Sequence, residues 1–324
     1  MEQYGQMLDK VSRTFALSIR FLPRVLRDSI GLAYLLFRVS DCLEDHPELE
    51  VSQKVMLLEL WAQILEGNNR AEELVERISD LDSTDPEVYV AQHADDLIER
   101  LRIMPPEVQE FTAHRCAQSA MGMARWQQQG PFIETVEEMD DYMHQVAGKV
   151  GYLLTDIFAW YSSPIRQHKD ELLPLAREFG LGLQTVNIIR GLRKDYERGW
   201  VFVPRSYLDQ FGITHDQFFS PQYEEKAFSV VNMLAVKAEE HLYHSLAYIA
   251  AFPRHLQRIR LACMWPLFFA VKTLTVCRTN IEVIRDEVKI TRQDVQEIMR
   301  QTILMGWSNR WVYRYYDELN LQQI

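Results

Sequence analysis

The sequence predicts an all-α protein, and three observations carry that expectation. Glycine and proline are sparse, at 13 and 12 of 324 residues. Long segments repeat apolar residues at the helical period of about 3.6. No stretch sustains the apolar/polar alternation of a half-buried strand. With 47% hydrophobic residues the chain can bury a large core, and one helical domain over residues 1–324 is expected.

Composition also excludes partners. A net charge of -11 argues against nucleic acid, which is held by clustered Lys and Arg. Cys42, Cys116, Cys263 and Cys277 lie far apart with no C-x-x-C spacing, against a zinc or disulfide framework and in keeping with a reducing cytosol. The N-terminal M-E-Q-Y-G-Q-M-L-D-K lacks the features of a secretory signal. The longest apolar run, Ala262 to Val271, contains Pro266, ends at Lys272 and falls short of the ~20 residues that span a bilayer. The expectation is a cytoplasmic protein with no transmembrane segment, which an apolar substrate could bring to the periphery of a membrane.

The elements follow in order. Ser12 to Phe15 lies in a break between a short first helix and a longer one entered at Pro23, a residue suited to a first helical turn; the longer helix ends near Pro47. Ser52 caps a helix running to about Gly67. Asp85-Pro86-Glu87 reads as another start, with cap, proline and acidic first turn. Pro105-Pro106 opens a further helix that Gly130-Pro131 closes. A long segment from about Glu134 to Trp160 precedes Ser163-Pro164. The stretch Gly180 to Arg198 is helical by pattern, and Gly199 to Pro204 (G-W-V-F-V-P) is an aromatic loop that could act as a flap. Helices near Pro221 to Ala251 and Pro253 to Thr279 follow. The last helix starts at Thr291, where T-R-Q-D resembles a capping box with Asp in place of Glu.

The stretch Tyr34 to Asp45, Y-L-L-F-R-V-S-D-C-L-E-D, concentrates chemistry. At about 100° per residue, Tyr34, Arg38, Asp41 and Asp45 share a narrow stripe, while Leu32, Leu35, Leu36, Val39, Cys42 and Leu43 form the opposite, packing side. Alone, such a stripe is more often a solvated face. A second helix repeats the design: Gln184, Asn187, Gly191 and Asp195 share one face, backed by Leu181, Ile188, Ile189 and Leu192. Two such helices could face each other across a cavity, which weakens the bland reading. Carboxylates and an amide oxygen are hard ligands suited to Mg²⁺, which is typically held by a few carboxylates plus substrate phosphates. Arg13, Arg38, Arg190, Lys194 and Arg198 add donors for diphosphate oxygens. There is no Walker loop and no G-x-G-x-x-G. The pattern suits ionisation of an allylic diphosphate, with an apolar pocket guarding the carbocation from water.

At these residues the chain resembles the squalene/phytoene synthase family of head-to-head prenyl transferases. S-R-T-F at Ser12 to Phe15 is similar to the family's S-R-S-F, and Tyr34 to Asp45 resembles its first aspartate-rich motif. Tyr142 followed by Val146-Ala147-Gly148 is similar to its Y-x-x-x-V-A-G. L-Q-T-V-N-I-I-R with Asp195 and Pro204 resembles its second motif. The matches fall in family order from Ser12 to about Pro204.

The resemblance implies an isoprenoid synthase-type helical bundle around a central cavity. It implies condensation of two prenyl diphosphates, such as farnesyl diphosphate, through a cyclopropylcarbinyl diphosphate to a squalene-type product. By motif position, Asp41 and Asp45 would hold Mg²⁺ on one wall and Asn187 and Asp195 on the other. Ser12, Arg13, Phe15, Tyr34, Arg38, Gln184, Arg190 and Arg198 would contact substrate, and Tyr142 would be the acid/base candidate. Some family members reduce the intermediate with NADPH, a site with no glycine signature to read here. Gly148 and Gly151 could permit close approach, and Phe15, Leu153 and Phe158 could set pocket depth.

One departure bears on activity. Where the family's second motif usually reads N-x-x-x-D-x-x-x-D, this chain has Gly191 at the middle position, and Lys194 stands where the family commonly has an acid. The N-x-x-x-G-x-x-x-D pattern is similar to the N-x-x-x-S/T-x-x-x-E motif of other class I terpene synthases. The alternatives are a member confined to one half-reaction or acting on another prenyl diphosphate, and a non-catalytic prenyl-lipid binder or assembly partner.

Overall fold

Helix starts and stops are written locally in this chain, and most of the resulting helices are ordinary ones. The computed structural model describes residues 2–12 and 14–321. Among these there is no strand, only an isolated bridge between Phe132 and Val201. The helices are α1 (Glu2–Val11), α2 (Thr14–Phe21), α3 (Arg24–Asp45), α4 (Val51–Leu65), α5 (Ala71–Arg77), α6 (Pro86–Ala91), α7 (Ala94–Arg102), α8 (Pro106–Gln129) and α9 (Val136–Met143). They continue with α10 (Lys149–Tyr161), α11 (Ser163–Gln167), α12 (Lys169–Glu197), α13 (Arg205–Phe211), α14 (His215–Phe218), α15 (Glu224–Ala251), α16 (Gln257–Arg278), α17 (Arg292–Met305) and α18 (Asn309–Leu321).

Several boundaries follow the expected chemistry. The Asp85 carboxylate accepts the Glu87 amide at 2.7 Å, capping α6. Thr291 and Asp294 close a capping box on α17. Gly130 ends α8 at a φ of 109°, open to glycine at no steric cost. Others differ. The cap of α4 is Glu50, boxed with Gln53, because Ser52 already lies inside the helix. The segment after Ser12 forms its own short helix, α2. The final segment breaks between Met305 and Asn309 into two helices.

The chain divides into two compact units, Met1–Gly130 with Lys149–Lys169, and Pro131–Gly148 with Asp170–Ile324. In the first, α8 packs against α3, α4 and α10, around the fully buried Trp61 and Trp126. The packing side read for α3 is the buried one: Leu32, Leu35, Leu36, Val39, Cys42 and Leu43 all lie inside. In the second, α16 packs against α15, α17 and α18. By length and composition α16 could cross a membrane, yet 89% of its most apolar window is buried, so it is accounted for as a core helix.

Between α9 and α10 the backbone widens into a π turn, His144–Gly148, which carries the V-A-G segment. Both glycines near it are required by space. A β-carbon on Gly148 would meet the His144 ring, and one on Gly180 of α12 would lie 2.5 Å from the Ala147 carbonyl oxygen. The backbones of α12 and the π turn touch there, which only a missing side chain allows.

Candidate active site

In the first unit, α3 presents its polar stripe as the sequence predicts, and the N-terminal segment comes to its start. Tyr34 donates to the Val11 carbonyl at 3.3 Å, and its ring centroid lies 6.1 Å from that of Phe15. Ser12 is buried; its hydroxyl accepts the Ala16 amide at 3.2 Å and also bonds the Tyr34 phenol. Burial raises the Tyr34 pKa, with Arg38 acting in the opposite direction. Arg13 lies outside the described residues.

One turn further, the Arg38 guanidinium donates to Asp41 Oδ2 at 2.8 Å and pairs with Glu87 at the start of α6. The Asp41 carboxyl is pushed up to about 6: burial is the main cause, Asp45 and Glu87 add like charge, and Arg38 offsets only part of it. Two carboxylates, Asp41 and Glu87, therefore share one cation, with the like charge of Asp45 acting on Asp41. Sequence reasoning missed Glu87. Its Asp85-Pro86-Glu87 context identified a helix start, and nothing local tied it to Arg38, 49 residues away.

In the second unit, Leu181, Ile188, Ile189 and Leu192 of α12 are buried, as the packing face requires. On the polar face, Asn187 is exposed and donates to Gln184 Oε1 at 3.4 Å. Asp195 is buried and ion-paired with Arg198. Arg190 pairs with Glu287 at 3.1 Å, a partner the sequence did not signal. Beside Gly191 there is room: a β-carbon would have the Asp195 carboxylate as nearest neighbour, at an ordinary 3.5 Å.

Tyr142, at the end of α9, is buried, and its ring stacks on Phe202 at 4.4 Å, which in turn stacks on Trp200 at 5.2 Å. The Gly199–Pro204 loop, read as a flap, is fastened down. Val201 donates to the Pro131 carbonyl at 3.0 Å, and Val201, Phe202 and Val203 are buried. Two residues before Tyr142, Asp140 pairs with Lys237 at 2.6 Å, and His241 lies between Asp140 and Glu178, bonding the latter at 2.6 Å. Burial by itself would lower the His241 pKa, but the two carboxylates outweigh it and raise it.

Among the described residues no three His, Cys, Asp or Glu side chains gather to hold a metal by themselves. Asp45 acts on Asp41 as a like charge, whereas Asn187 bonds Gln184 and Asp195 pairs with Arg198. All four cysteines are buried free thiols with raised pKa values.

An all-helical chain whose aspartates and arginine line one stripe of a core helix has the architecture of an isoprenoid synthase-type prenyl transferase. The profile of the squalene/phytoene synthase family matches residues 8–294, and the chain belongs to that family. It is 26% identical to squalene synthase of Rattus norvegicus over 96% of this chain and 72% of that protein. It is 29% identical to squalene synthase ERG9 of Saccharomyces cerevisiae over 89% of this chain and 64% of that one. Among solved structures, TcSQS in complex with the ligand BPH1237 superposes with a TM-score of 0.85 at 24% identity, covering 100% of this chain and 92% of the other. A dehydrosqualene synthase in complex with ligand gives 0.63 at 17% identity, covering 94% and 95%. These two structures share the fold. At the level of the family, the chemistry is head-to-head condensation of prenyl diphosphates.

Proposed function

We propose that the chain condenses two molecules of farnesyl diphosphate, through a cyclopropylcarbinyl diphosphate, to a squalene-type product in a Mg²⁺-dependent reaction. The observation that carries this reading is the excess of negative charge around Arg38. Asp41 and Glu87 both pair with one guanidinium, Asp45 adds like charge to Asp41, and the Asp41 carboxyl is held well above the usual carboxylate range. A divalent cation relieves that excess, and hard carboxylate oxygens one helical turn apart fit Mg²⁺.

When bound, Mg²⁺ would supply neutralisation of the diphosphate leaving group. Asp41 and Asp45 would hold it in the first unit, and Asn187 and Asp195 in the second. Arg38 is then freed from Asp41 to donate its planar fork to diphosphate oxygens. Ser12, Phe15 and Tyr34 border that stripe, and Arg13 belongs to the same motif. In the second unit Gln184, Arg190 and Arg198 are assigned to substrate, with Arg190 and Arg198 exchanging Glu287 and Asp195 for it.

Tyr142 is assigned the proton transfer. An unperturbed phenol has a pKa near ~10 and is a weak base at neutral pH, so a diphosphate oxygen serves as the final acceptor. Its stack with Phe202 and Trp200 fixes the ring and keeps its apolar surroundings dry.

Gly191 supports a second reading, confinement to the first half-reaction, because one carboxylate of the second motif is missing. Incubation with farnesyl diphosphate and Mg²⁺, with and without NADPH, followed by pyrophosphate assay and mass spectrometry of the extract, separates the two. Full activity releases two pyrophosphates per product when NADPH supplies the hydride. The half-reaction releases one and accumulates the cyclopropylcarbinyl diphosphate. Neither pyrophosphate nor coupled product would overturn both readings.

A further inference from the structure

We infer that the turn between α17 and α18, together with the turn entering α16, docks on an anionic lipid surface. The inference is independent of the catalytic assignments. Ile303, Leu304, Met305 and Trp307 are 46%, 58%, 38% and 51% exposed, the densest run of exposed large apolar side chains among the described residues. Single exposed apolar residues are normal, whereas a contiguous patch ending in a tryptophan marks an interaction surface.

The two turns are locked together from beneath. Arg260, fully buried, donates to the Ile249 and Phe252 carbonyls at 2.7 and 3.0 Å, to the Gly306 carbonyl at 3.2 Å and to Asn309 Oδ1 at 2.7 Å. Asn309 in turn donates to the Ala250 carbonyl at 3.0 Å. The patch therefore sits on a rigid base.

Charge selects the occupant. In a chain of net charge -11, no Asp or Glu occurs from residue 251 to 281, nor from 298 to 316. Arg254, His255 and Arg258 are exposed on or beside the first turn, and Arg310 is exposed beside the second. Arg300 and Arg314 pair with Glu297 and Glu318 at the edges of the second stretch. An apolar tip with tryptophan, rimmed by basic side chains on an otherwise acidic protein, matches the headgroup region of an anionic bilayer. A lipid-facing position also suits a protein of a family that handles prenyl chains.

The test is cosedimentation of the 324-residue protein with vesicles of phosphatidylcholine alone and of phosphatidylcholine mixed with phosphatidylglycerol, at low and high salt. Binding to the anionic vesicles, weakened by salt, is expected. Arg254→Glu with Arg310→Glu should lower the partition coefficient roughly 25-fold, at about fivefold for each basic residue lost. Leu304→Ser with Trp307→Ser should lower it about tenfold. All four side chains are exposed, so circular dichroism should report unchanged folding. The inference is overturned if the wild type ignores anionic vesicles or if both variants bind like the wild type. It is equally overturned if light scattering finds a dimer that Trp307→Ser dissolves, which would assign the patch to a second copy.

Discussion

Replacing Asp41 with asparagine should stabilise the protein at neutral pH while removing a residue assigned to the metal. The Asp41 carboxyl stands at about 6 against an ordinary 3.8. A carboxyl raised in the folded state costs stability as the pH climbs from the unfolded to the folded value, because the native protein must then give up a proton it holds more tightly. Integrated over that window the cost has a ceiling of about 3 kcal/mol. The side chain is 29% exposed, and the residual solvent contact brings this to about 2 kcal/mol. Asparagine keeps an oxygen for the Arg38 guanidinium, and Glu87 still neutralises that cation.

The assay is urea denaturation of wild type and Asp41→Asn at about pH 4 and about pH 7, with and without Mg²⁺ and inorganic diphosphate. The two proteins should be equally stable near pH 4, where the native carboxyl is protonated. Near pH 7 the variant should lead by about 2 kcal/mol, and the ligands should close that gap by stabilising only the wild type. A variant no more stable than the wild type at pH 7, or a gap of equal size at both pH values, would refute the reasoning.

The other expectations concern the second unit. Gly191→Asp meets nothing closer than 3.5 Å; it should fold normally and lower the half-saturating Mg²⁺ in a pyrophosphate-release assay several-fold, and an unchanged titration would count against Asp195 as a metal ligand. Gly180→Ala drives a methyl into the Ala147 carbonyl and should cost about 1–3 kcal/mol in urea denaturation. His241, raised by Asp140 and Glu178 against its burial, contributes stability that is complete below its ordinary value near ~6.5 and fades as pH rises through its folded value. The thermal-melt difference between wild type and His241→Gln should therefore shrink from about pH 6 to about pH 9. Lys237 beside it acts in the opposite direction, so a widening gap would place control with the lysine.

Much of the first helix of the site was readable in sequence, because a helical period assigns faces without knowledge of any neighbour. Leu35, Leu36, Val39 and Leu43 are buried for the same reason they are apolar, and Tyr34, Arg38 and Asp41 follow on the other side. The same arithmetic placed Ile188 and Ile189 inside and Asn187 outside. Helix ends were legible where a cap is a local bond, as at Asp85 and Thr291. They were misplaced where two neighbouring residues compete for the role, as Glu50 and Ser52 do.

The sequence by itself determined the helical class, the motif order and which face of each motif helix is buried, since all three rest on spacing within a few turns. Only the tertiary structure decided who answers those residues: Glu87 for Arg38, Glu287 for Arg190, Phe202 for Tyr142, and Asp140 with Glu178 for His241. Those pairings join residues 49 to 101 positions apart. Distance along the chain holds no record of which surfaces meet, and the charge on Asp41 acquires its meaning only once the partners are in place.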